Sequence, residues 1–252
     1  MYEVKAVVLA GGKGTRFRPY TELIAKPMVP IGSKEKPLLE HILYWLSRNG
    51  IREYVFLIGY RGQQIKNYFG RGERWNVNID YSEDSEKYSN TGGALINAYK
   101  RGLLNKRTIL VWYGDIIANI DIKKLLVNHW NTKADVTLAL ARKYQLPVGV
   151  AEVDEDGRVI KLVEKPWYPI KVTIGVLVLE TQVLNRIEEV LGKSFDIMSH
   201  LIPWMIEKGY NVRSYIHDGF WYDVGSIERY AKLDGAKVEE MLEEVLGDEI
   251  PA

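Results

Sequence analysis

The chain has 252 residues, enough for a domain with a full core, and 46% of them are apolar, as is usual for a soluble globular protein. Lysine and arginine number 34 against 33 aspartate and glutamate residues, which excludes a global charge that would attract nucleic acid or an anionic membrane. Cysteine is absent, which excludes disulfides and thiolate metal sites.

The first half of the sequence alternates strand and helix signals. Short apolar runs, typical of buried parallel strands, lie at residues 4–9, 53–59, 77–82 and 108–115. Helical spacing predicts helices at residues 37–50, 63–70, 90–102 and 121–130. This alternation predicts an α/β fold with a doubly wound, mostly parallel sheet, in which ligands bind near the carboxyl ends of the strands.

The pattern changes after residue 134. Strand signals dominate residues 135–142, 148–165 and 172–180, and the residues DEDG at 154–157 indicate a hairpin turn. Two helices are predicted at about 182–191 and 195–208, followed by a strand at 211–218. A charged helix is predicted from about residue 226 to the end, and its apolar residues Val238, Leu242 and Val245 would pack on the protein's own core or on a partner subunit of a homo-oligomer.

Several absences shape the expected class of protein. The N-terminus has an acidic residue and an apolar run too short for the central region of a signal peptide, and no run approaches the length of a membrane-spanning helix. The four histidines show no metal-ligand spacing, and no basic stripe accompanies the aromatic residues. We therefore expect a cytoplasmic protein that binds neither nucleic acid nor a membrane.

The first strand runs directly into the glycine-rich stretch GGKGTRFRP, residues 11–19. The glycines let the main chain turn its N–H groups toward an anion, and Lys13, Arg16 and Arg18 add positive charge. The spacing matches neither the dinucleotide-binding pattern, which would require glycine at Phe17, nor the P-loop pattern. Taken alone, the stretch is equally well interpreted as a glycine turn with solvated charges.

The longer stretch that follows resembles the signature of the sugar nucleotidyltransferases, or NDP-sugar pyrophosphorylases. It matches at Leu9 to Arg16, Pro19, Thr21, Lys26 to Met28, Pro30 and the KP and LEH elements of residues 36–41, with Phe17, Tyr20 and Ala25 in place of leucine, leucine and proline. Four later family segments follow in order: NTGGALINA (90–98), VWYGDIIANID (111–121), VGVAEVDEDGRVIKLVEKP (148–166) and GFWYDVGSIERY (219–230). The chain is identified as a member of this family, in a short form similar to glucose-1-phosphate thymidylyltransferases and mannose-1-phosphate guanylyltransferases.

The resemblance implies a single nucleotidyltransferase domain over residues 1–252 with a Rossmann-like fold. About 1–134 would be its nucleotide-binding half, about 135–230 a strand-rich sugar-binding lobe, and about 226–252 the C-terminal helix. The implied reaction joins a nucleoside triphosphate (NTP) and a hexose 1-phosphate to give an NDP-sugar and pyrophosphate. It would proceed by in-line attack of the sugar phosphate on the α-phosphorus and would depend on Mg²⁺.

The resemblance also assigns roles to the residues that match. Catalytic roles fall to Arg16, Lys26, Asp115 and Asp223, and the two aspartates would bind Mg²⁺. The nucleotide would contact Leu9, Gly11, Gly12, Gly14, Thr15, Glu83 and Gly92. The sugar phosphate would contact Gly149, Glu164, Lys165 and Thr173. Cations, glycine backbone and carboxylates suit this chemistry, because its main difficulty is to bring two polyanions together.

The base is expected to meet residues 79–93, where Glu83, Asp84 and Glu86 make the loop acidic. A carboxylate accepts hydrogen bonds only, and guanine offers two adjacent donors, which favours GTP over dTTP or UTP. The same acids are equally well interpreted as a solvated loop face. Nothing in the sequence separates glucose 1-phosphate from mannose 1-phosphate.

The main alternative is a catalytically inactive subunit of the same fold that senses nucleotide sugars. Such a subunit should lack a metal carboxylate or a phosphate-binding cation, whereas Arg16, Lys26, Asp115, Lys165 and Asp223 are all present. A transferase for an alcohol phosphate such as phosphocholine is disfavoured by the EKP and WYDVG elements. A fused acyltransferase β-helix would need a tail of hexapeptide repeats, which the sequence does not contain.

Overall fold

The computed structural model describes residues 3–243. The strands in this range are, in chain order, β1 (Val4–Ala10), β2 (Pro30–Ile31), β3 (Lys36–Pro37), β4 (Glu53–Ile58), β5 (Asn78–Glu83), β6 (Thr108–Tyr113), β7 (Ile116–Ala118), β8 (Val136–Ala141), β9 (Tyr144–Gln145), β10 (Gly149–Val153), β11 (Val159–Glu164), β12 (Trp167–Tyr168), β13 (Val172–Glu180), β14 (Val212–His217) and β15 (Trp221–Asp223). The α-helices are α1 (Leu38–Arg48), α2 (Gly62–Phe69), α3 (Asn90–Lys100), α4 (Ile122–Asn131), α5 (Ile187–Leu191), α6 (Ile202–Glu207), α7 (Ile227–Lys232) and α8 (Gly235–Glu243). None of the described helices combines the length and apolar character needed to cross a lipid bilayer.

A seven-stranded sheet in the order β14-β8-β13-β6-β1-β4-β5 organises the molecule. β13 pairs antiparallel with β6 and β8, and every other neighbouring pair in the sheet is parallel. The prediction of a mostly parallel α/β sheet is confirmed. Because β1, β4, β5 and β6 run in the same direction, the loops that follow them meet at one edge of the sheet.

The strand-rich second half of the chain contributes to this same sheet. β8, β13 and β14 extend it beyond β6, while β10 and β11 form a separate antiparallel hairpin around the predicted DEDG turn. β9 and β12 pair antiparallel at the base of that hairpin. The hairpin strands are mostly exposed, so this part of the lobe predicted over about 135–230 is an excursion from the central sheet, and it is called the exposed lobe below.

Both faces of the sheet are buried, which explains why the first strand is a continuous apolar run. Val8 and Trp112 belong to the apolar cluster on one face, together with side chains of α1 and α4. Val7 and Val111 belong to the cluster on the other face, together with side chains of α3 and α6. Neighbouring residues of one strand thus enter opposite clusters, as the pleat of a strand requires.

The predicted C-terminal helix is divided in two. α7 ends at residue 232 and α8 begins at residue 235. Val238 of α8 is fully buried in the cluster with α1, and the neighbouring Glu239 accepts a hydrogen bond from Ser33 Oγ at 2.9 Å. Of the two predicted packing arrangements, α8 therefore adopts the one on the protein's own core. Val245 and the side chain of Leu242 lie outside the described residues.

Candidate active site

A cleft of about 540 Å³ opens at the edge of the sheet where the parallel strands end. Its lining includes Leu9 of β1, the glycine loop of residues 11–16 and Leu57 of β4. Asp84, directly after β5, and Asp115, after β6, complete this edge. Within the sheet, β4 lies next to β1 on one side, and β6, which follows later in the chain, lies next to β1 on the other. The cleft therefore lies at the point where strand order reverses, which is where doubly wound sheets bind ligands.

Two glycines of the loop are required by its shape. Gly14 has a φ of +59°, and a Cβ there would lie 3.0 Å from the Cβ of Lys26. A Cβ at Gly11 would lie 2.9 Å from Asp84 Oδ2, whereas the space above Gly12 is open. The main chain at Gly12 is therefore accessible to a ligand in the cleft, as the sequence predicts for a loop that binds phosphate.

Short 3₁₀ turns bring two cations to the cleft. Lys26 begins the turn Lys26–Met28, and its Nζ lies 2.6 Å from Asp115 Oδ2 and 5.5 Å from the centroid of the Phe17 ring. Phe17 is buried and anchors the turn Thr15–Phe17, which also carries Arg16. Both Thr15 and Arg16 are exposed and line the cleft.

Asp115 and Asp223 are distant in sequence but lie side by side. β7 and β15 pair antiparallel with Asp223 opposite Ile116, and Val224 N donates to Asp115 O at 2.8 Å. Burial raises the pKa of Asp223, and the charge of Asp115 raises it further. Arg229 donates a hydrogen bond to Asp223 and opposes this rise.

This pair of carboxylates suits a hard divalent cation. Within residues 3–243, no group of three or more histidine, aspartate or glutamate side chains is arranged to hold a metal ion. Mg²⁺ commonly takes only one or two carboxylates and completes its shell with phosphate and water. A cation shared by Asp115 and Asp223 would also relieve the repulsion between them, so the donor set fits the ion that the sequence predicts.

Two predicted nucleotide contacts are directed away from the cleft. Glu83 ends β5, and its carboxylate is 65% exposed and paired with Lys66. Asp84 lines the cleft instead, because successive residues of a strand point to opposite sides. Gly92 is buried, and a Cβ there would lie 2.1 Å from the ring of Phe195, so this glycine permits close packing of α3.

The predicted sugar-phosphate residues lie outside the lining of this cleft. Gly149 of β10 is opposite Glu164 of β11, and a Cβ at Gly149 would lie 2.8 Å from Glu164 Oε2. The side chains of Glu164 and Lys165 are 68% and 53% exposed, and Lys165 Nζ lies 3.6 Å from Glu164 Oε1. Thr173 is exposed near the start of β13. Gly149, Glu164 and Lys165 thus form a polar, solvent-open surface on the exposed hairpin, whereas Thr173 belongs to the central sheet.

Side-chain contacts connect this surface to Asp223. Arg229, the hydrogen-bond partner of Asp223, also donates to the Tyr144 hydroxyl at 3.5 Å. The next residue, Gln145, donates from Nε2 to Lys165 O at 3.0 Å. Lys165 and Asp223 are therefore joined through two adjacent residues of β9.

Several cleft residues were not assigned by the sequence analysis; they include Lys13, Asn90, Thr91, Tyr113 and Asp196. Asp196 accepts a hydrogen bond from Thr91 Oγ1 at 2.7 Å and also caps the turn that follows it. The Tyr113 hydroxyl is buried, and no described residue forms a hydrogen bond of ordinary geometry with it. Burial raises the pKa of Tyr113 well above its usual value, and the charge of Asp196 adds to the rise. No motif marks Asp196, whose position depends on a long-range contact with α3.

Asparagine at position 223 should stabilise the free protein near neutral pH. The pKa of Asp223 in the folded protein lies above its ordinary value of 3.8, so the ionised carboxylate opposes folding. The stability that the protonated group provides is complete below the unfolded pKa and is lost as pH rises through the folded pKa. Thermal melts in EDTA should therefore give a higher Tm for Asp223→Asn than for the wild type near neutral pH. The difference should disappear below about pH 4.

Asp218→Asn is the matched control for this measurement. Asp218 is exposed, and the hydrogen bond from Arg142 lowers its pKa, so the ionised form of Asp218 favours folding. Its replacement should leave Tm unchanged or lower near neutral pH. A lower Tm for Asp223→Asn than for the wild type would contradict the assignment of an unfavourable charge to Asp223.

Comparison with known proteins gives a consistent result. Residues 5–239 match the family described as nucleotidyl transferase. The chain is 32% identical over 235 residues to the mannose-1-phosphate guanylyltransferase of Mycobacterium tuberculosis, and the match covers 92% of this chain and 64% of that protein. It is 27% identical over 242 residues to the UTP–glucose-1-phosphate uridylyltransferase of Synechocystis, covering 90% and 61% respectively. The fold is similar to the crystal structure of HddC from Yersinia pseudotuberculosis, with a TM-score of 0.70, 24% identity and coverage of 92% of this chain and 97% of that chain.

Proposed function

The chain belongs to the nucleotidyl transferase family, and from this membership we propose that it joins an NTP to a sugar 1-phosphate and releases pyrophosphate. The observation that carries the proposal is the convergence of Arg16, Lys26 and Asp115 in the glycine-loop cleft, with Asp223 beside Asp115. The two curated relatives are named for this class of reaction, and the chain spans 64% and 61% of their lengths.

The proposed reaction is an in-line displacement at phosphorus. A phosphate oxygen of the sugar 1-phosphate forms a bond to the α-phosphorus of the triphosphate. The bond from the α-phosphorus to the bridging oxygen breaks, and pyrophosphate leaves with the electron pair. Because the nucleophile is an anion near neutral pH, no side chain needs to remove a proton from it. The barrier is largely electrostatic, and positioned cations can lower it.

The cleft residues supply this stabilisation in separate places. The main chain around Gly12 and the guanidinium of Arg16 would hold the β- and γ-phosphates, for which arginine offers paired donors. The ion pair with Asp115 holds the Lys26 ammonium in the lining of the cleft, beside the expected position of the α-phosphate. Asp115 and Asp223 would hold Mg²⁺, which when bound neutralises charge on the phosphate oxygens and the leaving group.

The sugar 1-phosphate would approach from the exposed lobe. Lys165 would contact its phosphate and Glu164 its hydroxyl groups, since a carboxylate can accept from two neighbouring hydroxyls. The contacts from Lys165 through β9 to Arg229 support this direction, because they connect the lobe to the metal carboxylate Asp223. The sugar 1-phosphate would thus enter on the side of the cleft that holds Asp223.

For the base we propose guanine, on the evidence of Asp84. The Asp84 residue is exposed to solvent, but neighbouring atoms partly desolvate its carboxyl and raise its pKa. No described residue donates a hydrogen bond to that carboxyl. The carboxylate lies close against Gly11 and Gly59, where either Cβ would meet it. It can accept from the N1–H and amino groups of guanine together, whereas uracil and thymine offer one donor between two carbonyls. The named bases of the relatives differ, so the proposal rests on this side chain.

A pyrophosphate-release assay tests the proposed function. It combines ATP, GTP, CTP, UTP or dTTP with glucose, mannose, galactose or N-acetylglucosamine 1-phosphate, with and without Mg²⁺. We expect turnover with GTP and a hexose 1-phosphate, and only when Mg²⁺ is present. If no pair releases pyrophosphate while nucleotide sugars still bind, the protein is the inactive sensing subunit instead.

Asp84→Asn should reduce the preference for GTP. Asparagine replaces one acceptor oxygen with a donor, so one guanine contact to a charged group is lost. We expect kcat/KM for GTP to fall by about 10–100-fold, while the low activities with UTP and dTTP stay the same or rise. Glu83→Gln is the matched control, because the Glu83 side chain points to Lys66 and should not affect base choice. Equal losses for all NTPs would show that Asp84 does not read the base.

A further inference from the structure

One side-chain amide fixes the loop between β1 and β2 to helix α2. Ala25 N donates to Gln64 Oε1 at 2.7 Å, and Gln64 Nε2 donates to Leu23 O at 2.9 Å. The helix is a firm anchor, because Ile65 and Phe69 are buried in the core. The two ends of the Gln64 amide therefore hold the main chain on both sides of residue 24.

The segment that Gln64 holds leads directly into Lys26. Leu23 is 80% exposed, so its own side chain gives the segment little anchoring. Lys26 follows Ala25 and places its Nζ 2.6 Å from Asp115 Oδ2. A small rotation of the peptide at Ala25 would be magnified along the long lysine side chain and would withdraw the ammonium from the cleft.

The identity of residue 25 explains why an acceptor is needed here. The pattern that this stretch resembles has proline at this position, and proline carries no N–H. Ala25 has a φ of −61°, which proline could also adopt. Unlike proline it carries an N–H, and that N–H is buried because the residue is only 1% exposed. That buried N–H would have no partner without Gln64, and buried main-chain donors are almost always paired. Gln64 thus supplies the acceptor that alanine requires and proline does not.

We propose that Gln64 is a positioning residue for Lys26. It fixes the main chain of residues 23–25, so that the Lys26 ammonium points at the reacting phosphates. The catalytic consequence rests on the proposed function, whereas the effect on the loop does not. These two parts are measured separately, by steady-state kinetics and by amide hydrogen exchange of residues 22–29.

Gln64→Ala should lower kcat by about 10–100-fold, because displacement of a reacting group by about 1 Å has effects of this size. The KM values for both substrates should change little, since phosphate and base contacts elsewhere remain. Hydrogen exchange of residues 22–29 should become faster. Gln63→Ala is the matched control: Gln63 is on the same turn but is exposed and donates to Asn67 Oδ1 at 2.7 Å, so kcat and exchange should stay at wild-type values.

Ala25→Pro provides the decisive comparison. In the wild-type background its ring would meet Gln64 Oε1 and lower kcat. In the Gln64→Ala background it removes the unpaired N–H and stiffens the loop, so the double variant should regain most of the lost kcat and slow exchange.

A double variant as slow as Gln64→Ala, with exchange as fast, would overturn the proposal, as would wild-type kcat in Gln64→Ala. If the wild-type protein turns over no substrate pair, the proposed function fails, and the exchange rates of the variants still decide whether Gln64 holds the loop.

Discussion

Replacing Asp115 or Asp223 by asparagine should remove nearly all nucleotidyl transfer and leave the fold intact. Asparagine keeps the size of aspartate and one acceptor oxygen but loses the charge that attracts a divalent ion. A divalent ion held by these carboxylates would contribute several kcal/mol of transition-state stabilisation, so kcat should fall by about 10³-fold in each variant. Steady-state pyrophosphate release over a range of Mg²⁺ concentrations measures the loss, and circular dichroism and thermal melting check the fold.

The two variants should differ in a way that the contacts predict. Asp115→Asn also removes the ion-pair partner of Lys26, so we expect the larger loss of kcat there. Asp223→Asn removes the charge next to Arg229 and should, in addition to its loss of kcat, raise the Mg²⁺ concentration required. Asp218→Asn, which lies just before β15 and is paired with Arg142 at the surface, should keep wild-type kcat. Rates near wild type in both Asp115→Asn and Asp223→Asn would refute the metal assignment.

The sheet was predictable because its signals are local. The apolar runs that become β1, β4, β5 and β6 are buried on both faces, and helices separate them in sequence. The direction of β13 was not predictable, because a buried strand has the same composition in either direction. Gly175 of this strand has a φ of +71°, and a Cβ there would lie 2.9 Å from Ile116 Cγ1. The register of β13 against β8 shifts between Thr173 and Leu177, on either side of this glycine.

The candidate site was predictable in its residue types and less so in its pairings. The glycine loop and Lys26 belong to one continuous stretch, so their common position follows from the chain itself. The contact between Lys26 and Asp115 depends on how the end of β6 packs against the loop in the folded protein, so the sequence spacing of the two residues does not predict it. The acid that enters the cleft after β5 shows the same limit, because a shift of one residue decides whether Glu83 or Asp84 lines it.

Gly92 shows why a glycine in a motif is difficult to interpret from sequence alone. A glycine can expose its main chain to a ligand, or it can make room for a neighbouring side chain. At Gly12 the surrounding space is open, which favours ligand contact, whereas at Gly92 the ring of Phe195 occupies the space. Phe195 lies in a distant segment, so only the folded structure separates the two uses.

Arg16→Ala should impair the chemical step more than substrate binding. Among the described residues, the two carboxylates proposed to hold Mg²⁺ already have cationic partners: Asp115 is paired with Lys26 and Asp223 with Arg229. Arg16 has no ion-pair partner within that part of the chain, although the buried Phe17 fixes its backbone. A cation that is anchored but unpaired can bind the charge that develops on the leaving pyrophosphate.

Removing one such group typically costs about 10²–10³-fold in kcat, and we expect this loss for Arg16→Ala in single-turnover measurements. Arg16→Lys should recover only part of it, because an ammonium cannot form the paired bonds of a guanidinium. Arg18→Ala is the matched control, since Arg18 is exposed two residues later and does not line the cleft. If Arg16→Ala altered only the KM for the sugar 1-phosphate, Arg16 would belong to the acceptor side. The leaving pyrophosphate would then depend on Lys13, the remaining cation of the glycine loop that lines the cleft.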